Sequence, residues 1–259
     1  MSKASAGLIT LGLKVGSKIF LSLTKVAKVG KGGLAITSMA AYSYLFTWQF
    51  ALMVMVSLFV HESGHIWAMK KCGLKTKGIY FIPFMGAAAV TDEMFKSRRD
   101  EVYIAIMGPI WGFSLAIATL MVYIFTSDPM YAAVAGWMGM INLFNLLPIN
   151  PLDGGRIIKS ITFSLNSKLG LIFLFFGLFL STLIMIWFDI LLFAILIIFG
   201  ALELVYTRHY NIPALSKSDI ITSVIAYVVI VSVLWSVMSY VSHVPEAEIA
   251  RQMFMGIIT

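Results

Sequence analysis

The stretch FALMVMVSLFV, residues 50–60, carries no charge and runs directly into HESGH, residues 61–65. Ionisable side chains are rare in apolar helices of this kind, because burying them in a membrane costs free energy. Two histidines four residues apart lie on one face of a helix, so both imidazoles can reach a single Zn²⁺. Glu62 between them can accept a proton from a water on that ion. The stretch therefore predicts a metal site at membrane depth, with chemistry suited to peptide hydrolysis.

Composition places the whole chain in a membrane. Of its 259 residues, 60% are hydrophobic and only 12% are charged, and the mean hydropathy is +0.93. Such values exclude an ordinary soluble domain. The net charge of +7 is explained by Lys and Arg that anchor helices at one membrane face, so no nucleic-acid partner is expected. With Cys72 as its single cysteine, the chain has no intramolecular disulfide and no CxxC metal pair.

Apolar periodicity predicts an all-α polytopic membrane protein with about six transmembrane helices, since a span needs roughly 20 residues. The predicted spans are 46–70, 101–126, 131–161, 169–187, 189–206 and 219–242. The third is too long for a simple span and contains Pro148, Pro151 and a glycine pair. Its helix is therefore expected to break or kink near the middle.

The N-terminal stretch from Gly7 to Lys28 interleaves lysines with apolar residues and lacks the uninterrupted apolar core of a secretory signal. The lysines lie broadly on one helical face, which favours an amphipathic helix on the membrane surface. A poor first span and a partner-binding helix are the alternatives. We expect three regions: a basic amphipathic segment 1–45, a catalytic membrane core 46–165, and additional helices with a C-terminal tail, 166–259.

Charge is unevenly divided between the two predicted membrane faces. One face collects Lys70, Lys71, Lys75, Lys77, Lys96, Arg98, Arg99, Arg156, Lys159, Lys168, Arg208 and Lys217. The other gathers Asp128, Asp189, Glu246, Glu248 and Arg251. By the positive-inside rule the first face is cytoplasmic. Arg156 and Lys159 are expected at its rim, and Glu203 is expected to be a helix-end charge that reaches the membrane interface.

Residues 80–90, YFIPFMGAAAV, are apolar but too short, and too broken by Pro and Gly, to cross a membrane as a helix. A re-entrant loop or short β-hairpin that dips toward the histidines fits this pattern. A hydrophobic cap packed on the bundle is the alternative.

A catalytic zinc site needs a third protein ligand in addition to the two histidines. Among the acidic residues near apolar segments, Asp153 alone lies in the broken-helix segment, beside Gly154 and Gly155. Flanking glycines permit close helix approach, so Asp153 is the candidate third ligand. The alternative role for Asp153 is a helix cap at a turn.

Together, HESGH and the later NPLDGG at residues 150–155 resemble the site-2 protease family of intramembrane zinc metalloproteases. Gly108-Pro109 and the loop at residues 84–86 are also similar to that family. The resemblance covers residues 46–165, as a three-helix catalytic core. It implies that one Zn²⁺ is bound by His61, His65 and Asp153 and that Glu62 is the general base.

The resemblance also bears on three asparagines. Asn145 is similar in position to a family asparagine that steadies the substrate or the developing oxyanion, although hydrogen bonding between helices explains an Asn equally well. Asn142 and Asn150 are weaker candidates. Many members carry a PDZ-like insertion, for which this sequence has no room.

The predicted function is hydrolysis of peptide bonds within or near the transmembrane segment of membrane-anchored proteins, in regulated proteolysis or in clearance of signal-peptide remnants. The expected partners are a transmembrane protein or peptide substrate and the lipid bilayer. A prokaryotic plasma membrane is the expected location, with the site toward the cytoplasm. A transporter or metal channel built on the same His and Asp cluster is the main rival, and an inactive scaffold is the other.

Overall fold

The computed structural model describes residues 30–83, 86–188, 192–207, 212–244, 247–248 and 252. The N-terminal segment predicted at residues 7–28 lies outside this part of the chain, as do Phe84 and Met85. The helices are α1 (Gly30–Leu45), α2 (Trp48–Lys71), α3 (Arg98–Thr126), α4 (Pro129–Asn145), α5 (Asp153–Leu165), α6 (Ser167–Phe188), α7 (Leu192–Thr207) and α8 (Lys217–Ser242). Between α2 and α3 lie the strands β1 (Thr76–Ile82) and β2 (Gly86–Thr91).

By length and composition, four helices of the described chain are able to cross a membrane: α2, α3, α6 and α8. Their outer faces expose large apolar side chains such as Phe175, Phe179, Val228 and Trp235. Apolar surface on this scale is expected where a protein faces lipid. The chain is an integral membrane protein, and it is mostly helical, as predicted. Of the six predicted spans, the third is divided between α4 and α5, and α7 has only 16 residues, so the number six stays a prediction.

The third predicted span breaks where its prolines lie. The chain leaves the helix over residues 146–152, which include Pro148 and Pro151. Proline lacks the N–H that a helix requires, so backbone carbonyls are freed at this point. One of them, the Leu146 carbonyl, accepts a hydrogen bond of 2.7 Å from the Tyr227 hydroxyl of α8. The predicted break is confirmed, and it makes Asp153 the first residue of a new helix.

Glycines bring the broken segment and α5 into direct contact. A Cβ on Gly154 would lie 2.1 Å from the Leu146 carbonyl oxygen, and one on Gly155 would lie 2.3 Å from the Ile149 carbonyl carbon. Both obstacles are backbone atoms, which cannot turn aside as a side chain can. The first turn of α5 therefore packs directly on the 146–150 backbone, and this contact sets the position of Asp153.

Residues 76–91 form an antiparallel β-hairpin, in which Ile79 pairs with Ala89 and Phe81 with Ala87. Pro83 stands in its turn, and β2 opens at Gly86 with a φ of +99°, which glycine adopts without strain. The hairpin packs against α1 and α2. The predicted short hairpin in this region is confirmed.

The helix ends rich in Lys and Arg meet at one end of the bundle. The Lys96 ammonium donates to the Cys72 carbonyl at 3.2 Å, and Arg99 pairs with Asp219 at 3.6 Å. These contacts join the end of α2 to the starts of α3 and α8, which we call the basic end.

Lys159 is not at the rim of the basic end, where the sequence placed it, but buried. Its ammonium pairs with Glu101 and, at 2.7 Å, with Glu203, and Ser160 donates to Glu101 at 2.7 Å. A buried ammonium requires such partners, because desolvation otherwise outweighs any gain. Glu203 thus pairs across helices and is not simply a helix-end charge at the membrane interface.

Replacement of Gly154 by Ala is expected to lower stability by about 1–3 kcal/mol, since the added methyl group overlaps backbone atoms. Thermal unfolding of the full chain in detergent micelles measures the change. Gly32→Ala is the matched control, because a Cβ there meets nothing within 4 Å. Equal midpoints for Gly154→Ala and Gly32→Ala would contradict the close contact described here.

Candidate metal centre

Three buried side chains converge between α2 and α5. Nε2 of His61 and Nε2 of His65 are 3.1 Å apart, and they lie 3.0 and 3.2 Å from Oδ2 of Asp153. Ligands placed tetrahedrally at about 2.0–2.1 Å from a zinc ion are about 3.3 Å from one another. The spacing of these three atoms therefore suits a single metal ion between them, and they are the atoms that can hold one within the described chain.

Hydrogen bonds on the far side of each imidazole orient both rings. Nδ1 of His61 lies 2.9 Å from Oδ1 of Asn142, and Nδ1 of His65 lies 2.7 Å from the Ile104 carbonyl oxygen. Both partners are acceptors, so each Nδ1 carries the proton and each Nε2 presents a lone pair to the centre. Neutral imidazoles in this tautomer are the form that binds a metal ion.

The Asn142 amide is itself held in one orientation. Its Nδ2 donates to the Met138 carbonyl at 2.8 Å, which leaves Oδ1 to accept from His61, and the residue is fully buried. A Cβ on Gly112 of α3 would lie 2.0 Å from that Oδ1. Close approach of α3 and α4 at a glycine therefore makes room for the amide that orients His61.

Room for the ion comes from a second glycine of α3. A Cβ on Gly108 would lie 2.2 Å from Nε2 of His65 and 2.9 Å from Nε2 of His61. Any side chain at this position would occupy the place to which both lone pairs point. The donor set and the space beside Gly108 both fit a zinc ion.

Glu62 lies beside the three converging side chains, on the same helix as the histidines. Its Oε2 accepts a hydrogen bond of 2.6 Å from the Ala89 backbone N–H of β2. This contact brings the outer edge of the hairpin directly to the carboxylate. The hairpin predicted to dip toward the histidines does so through Ala89.

A cavity of about 290 Å³ opens on this group and is bordered by all five predicted site residues. They are His61, Glu62, His65, Asn145 and Asp153. The other wall consists of Ala87, Ala88 and Ala89 of the hairpin together with Leu196 and Phe199 of α7. The Glu62 carboxylate therefore lies next to both a candidate metal site and a cavity. This arrangement suits metal-assisted hydrolysis of a polar bond. The roles of the five residues stay predictions.

The two asparagines of α4 occupy different places at the site. Asn145 lines the cavity and donates to the Ile141 carbonyl at 3.1 Å, whereas Asn142 contacts His61 directly. Sequence reasoning ranked Asn142 lower, although its spacing of three residues from Asn145 places it nearly one turn earlier on α4. That spacing was the available signal for a second polar residue near the site.

Comparison with known proteins agrees with this geometry. Residues 49–130 match the sequence profile of peptidase family M50. A zinc metalloprotease of Methanocaldococcus jannaschii is 31% identical over 168 residues, which are 58% of this chain and 47% of that protein. A protein of Synechocystis sp., also carrying a zinc metalloprotease name, is 33% identical over 125 residues, or 46% of this chain and 32% of the relative.

The aligned region thus spans about half or less of the length of these curated relatives. Among solved structures, the site-2 protease from Methanocaldococcus jannaschii matches with 26% identity and a TM-score of 0.47, over 71% of this chain and 91% of that one.

The profile match covers α2 with His61, Glu62 and His65, the hairpin, and α3 with Gly108. These are the elements that carry two of the three converging side chains, the adjacent carboxylate and the space beside them. The resemblance expected from the motifs is confirmed over this region: residues 49–130 match the profile of peptidase family M50, the family of the site-2 proteases.

Proposed function

We propose that this chain is an intramembrane zinc metalloprotease that hydrolyses peptide bonds within or near the transmembrane segment of membrane-anchored proteins. The observation that carries the proposal is the buried group of His61, His65 and Asp153 with Glu62 beside it, inside an apolar helical bundle. Buried ionisable groups in a membrane protein are costly and mark function by default. The zinc metalloprotease names of the relatives support the same reaction.

His61, His65 and Asp153 would hold the zinc ion through Nε2, Nε2 and a carboxylate oxygen. When bound, zinc lowers the pKa of a coordinated water and polarises a peptide carbonyl. Glu62 would accept the water proton and return it to the leaving amine, which completes one acid–base cycle. The amide of Asn145 would donate to the developing oxyanion across the cavity.

An edge of the hairpin offers a way to present the substrate. The Ala89 N–H points toward Glu62 and away from β1, and with the two-residue period of a strand the Ala87 backbone groups face the same way. A transmembrane substrate must unwind before its carbonyls can be attacked, and pairing with this edge would replace the lost helix bonds. Methyl side chains at residues 87–89 leave space for it.

The finer features of the fold belong to the same proposal. Six spans would complete the bundle, with residues 46–165 as the catalytic core that reaches from α2 through α5. The basic end would face the cytoplasm of a prokaryotic cell by the positive-inside rule, which puts the site on that side. Membrane-anchored regulators or signal-peptide remnants would be the substrates.

Glu62→Gln is expected to abolish cleavage of a single-span substrate reconstituted with the full chain, because the amide cannot accept the water proton. Zinc content should stay at that of the unaltered protein. Glu248→Gln, which changes an exposed residue far along the chain, serves as the control and should cleave normally. Cleavage at an undiminished rate by Glu62→Gln would overturn the proposed mechanism, and zinc transport without cleavage would favour a transporter.

Metal analysis of the purified chain should find about one zinc ion per molecule, and His65→Ala and Asp153→Ala should each lose it. His243→Ala is the matched control, since that imidazole lies exposed at the end of α8 and contacts Ser239. Retention of zinc by both site variants would show that the metal is held elsewhere.

Replacement of Asn142 and of Asn145 by Ala should affect different properties of the protein, zinc affinity and kcat respectively. Asn142→Ala is expected to weaken zinc binding about 10–100-fold, because His61 loses the partner that orients it. Asn145→Ala should keep its zinc and lower kcat by about 10²–10³-fold, as loss of an oxyanion donor does. Competitive zinc titration and steady-state kinetics measure the two effects, and equal losses of zinc affinity would remove the distinction.

A further inference from the structure

A second cavity adjoins the one at the candidate metal centre. It has a volume of about 240 Å³ and lies toward the basic end, between the start of α3, the broken segment and α7. Pro151 and Arg156 line both cavities. A peptide that leaves the first cavity in this direction would therefore pass Arg156.

Arg156 lies one turn after Asp153 on α5 and is half-buried. Its guanidinium makes no hydrogen bond or ion pair with the residues that the structure describes. Neighbouring cations behave differently: Lys159 pairs with two carboxylates, and Arg98 stacks on Phe163 at 4.8 Å. Within the described part of the chain, Arg156 is thus a cation beside the candidate metal centre that has no ion-pair partner.

Among the described residues, none of the acidic side chains around the second cavity forms an ion pair with Arg156. Glu101 and Glu203 share the single ammonium of Lys159, and Glu101 also accepts a hydrogen bond from Ser160. Glu93 accepts from the Lys75 backbone N–H at 3.3 Å. An incoming anion would therefore meet carboxylates that already have partners and one arginine that has none among the described residues.

Asn150, at the border of the same cavity, is a second unused polar group. It is 6% exposed, and neither Oδ1 nor Nδ2 has a partner among the described residues. Buried amides are normally satisfied, so an orphaned one calls for an explanation such as a missing ligand.

We propose that Arg156 binds a carboxylate of the peptide chain, and this inference rests on the proposed function. Hydrolysis adds water across the C–N bond and produces a new carboxylate on one product and an amine on the other. That carboxylate forms at the metal centre, one helical turn from a guanidinium that can grip both of its oxygens. The same guanidinium could instead hold an acidic side chain near the cleavage point, which has the same chemistry.

Binding of a fluorescent peptide to the zinc-loaded full chain in detergent micelles tests the proposal without turnover. Three peptides share the sequence of an N-terminal cleavage product: one ends in a free carboxylate, one in an amide, and one in an amide with Asp at the last position. We expect the free acid to bind the unaltered chain about tenfold or more tightly than the amide. Tight binding of the Asp peptide as well would identify side-chain recognition as a second source.

Arg156→Gln should reduce the preference for the acid at least severalfold, and Arg156→Lys should restore part of it. Arg99→Gln is the matched control, because it removes the same charge from an exposed residue of the basic end and should keep the full preference. An unchanged ratio of acid to amide binding in Arg156→Gln would overturn the inference. So would loss of zinc by that variant, since Arg156 would then act on the metal centre.

Cleavage of the parent substrate by the unaltered chain is measured in parallel. If the unaltered chain prefers the free-acid peptide but does not cleave the substrate, the proposed protease function is refuted and the carboxylate-binding site at Arg156 stands. A chain that cleaves but whose binding ignores Arg156 would refute this inference alone.

Discussion

The rest of the structure depends on the burial of two imidazoles and a carboxylate inside an apolar bundle. Removing His61, His65 and Asp153 from water costs free energy unless each polar atom has a partner. The Asn142 amide oxygen and the Ile104 carbonyl accept hydrogen bonds from the outward Nδ1 atoms of the two histidines. The inward atoms, two Nε2 and the Oδ2 of Asp153, face one another. A metal ion would satisfy all three inward atoms at once, so the geometry that lowers the cost of burial is also the geometry of a candidate metal site.

Convergence of that group requires helices that approach more closely than ordinary side chains allow. Gly108 leaves room in front of the histidines, Gly112 leaves room for Asn142, and Gly154 lets α5 pack on the Leu146 carbonyl. Without the break at residues 146–152, Asp153 would continue a helix that begins at Pro129, and its position would follow from that axis. The break frees α5 to take its own direction, in which its first residue, Asp153, meets the histidines of α2.

The surroundings of the centre divide into an apolar side and a charged side. Ala87, Ala88 and Ala89 present a strand edge with small side chains on one side of Glu62. Toward the basic end, Lys159 holds Glu101 and Glu203 together and leaves Arg156 beside both cavities. The strand edge suits an extended peptide, and the charged side suits a carboxylate. Both ligands are consistent with hydrolysis of a peptide bond at the centre between these sides.

Local patterns were enough to predict the parts of the site whose geometry is local. The four-residue spacing of His61 and His65 is a helix repeat. The short apolar stretch around Pro83 and Gly86 favoured a re-entrant loop or a hairpin over a membrane-spanning helix. Asp153 was found because prolines and glycines mark a break, and resemblance to a family supplied its role. Spans with clear ends, such as α3 and α8, were placed to within a few residues.

Local sequence patterns could not predict contacts between segments that lie far apart in the chain. The contact of Asn142 with His61 joins residues 81 positions apart, so the sequence did not indicate it. The placement of Lys159 at the rim was wrong because its partner Glu101 also lies far away along the chain. The sequence by itself determined a membrane protein with a metal-binding helix and an approaching hairpin, since hydropathy and helical period act along the chain. Only the tertiary structure decided which amide orients the histidine and which cation has no ion-pair partner among the described residues, because burial and pairing are properties of packed neighbours.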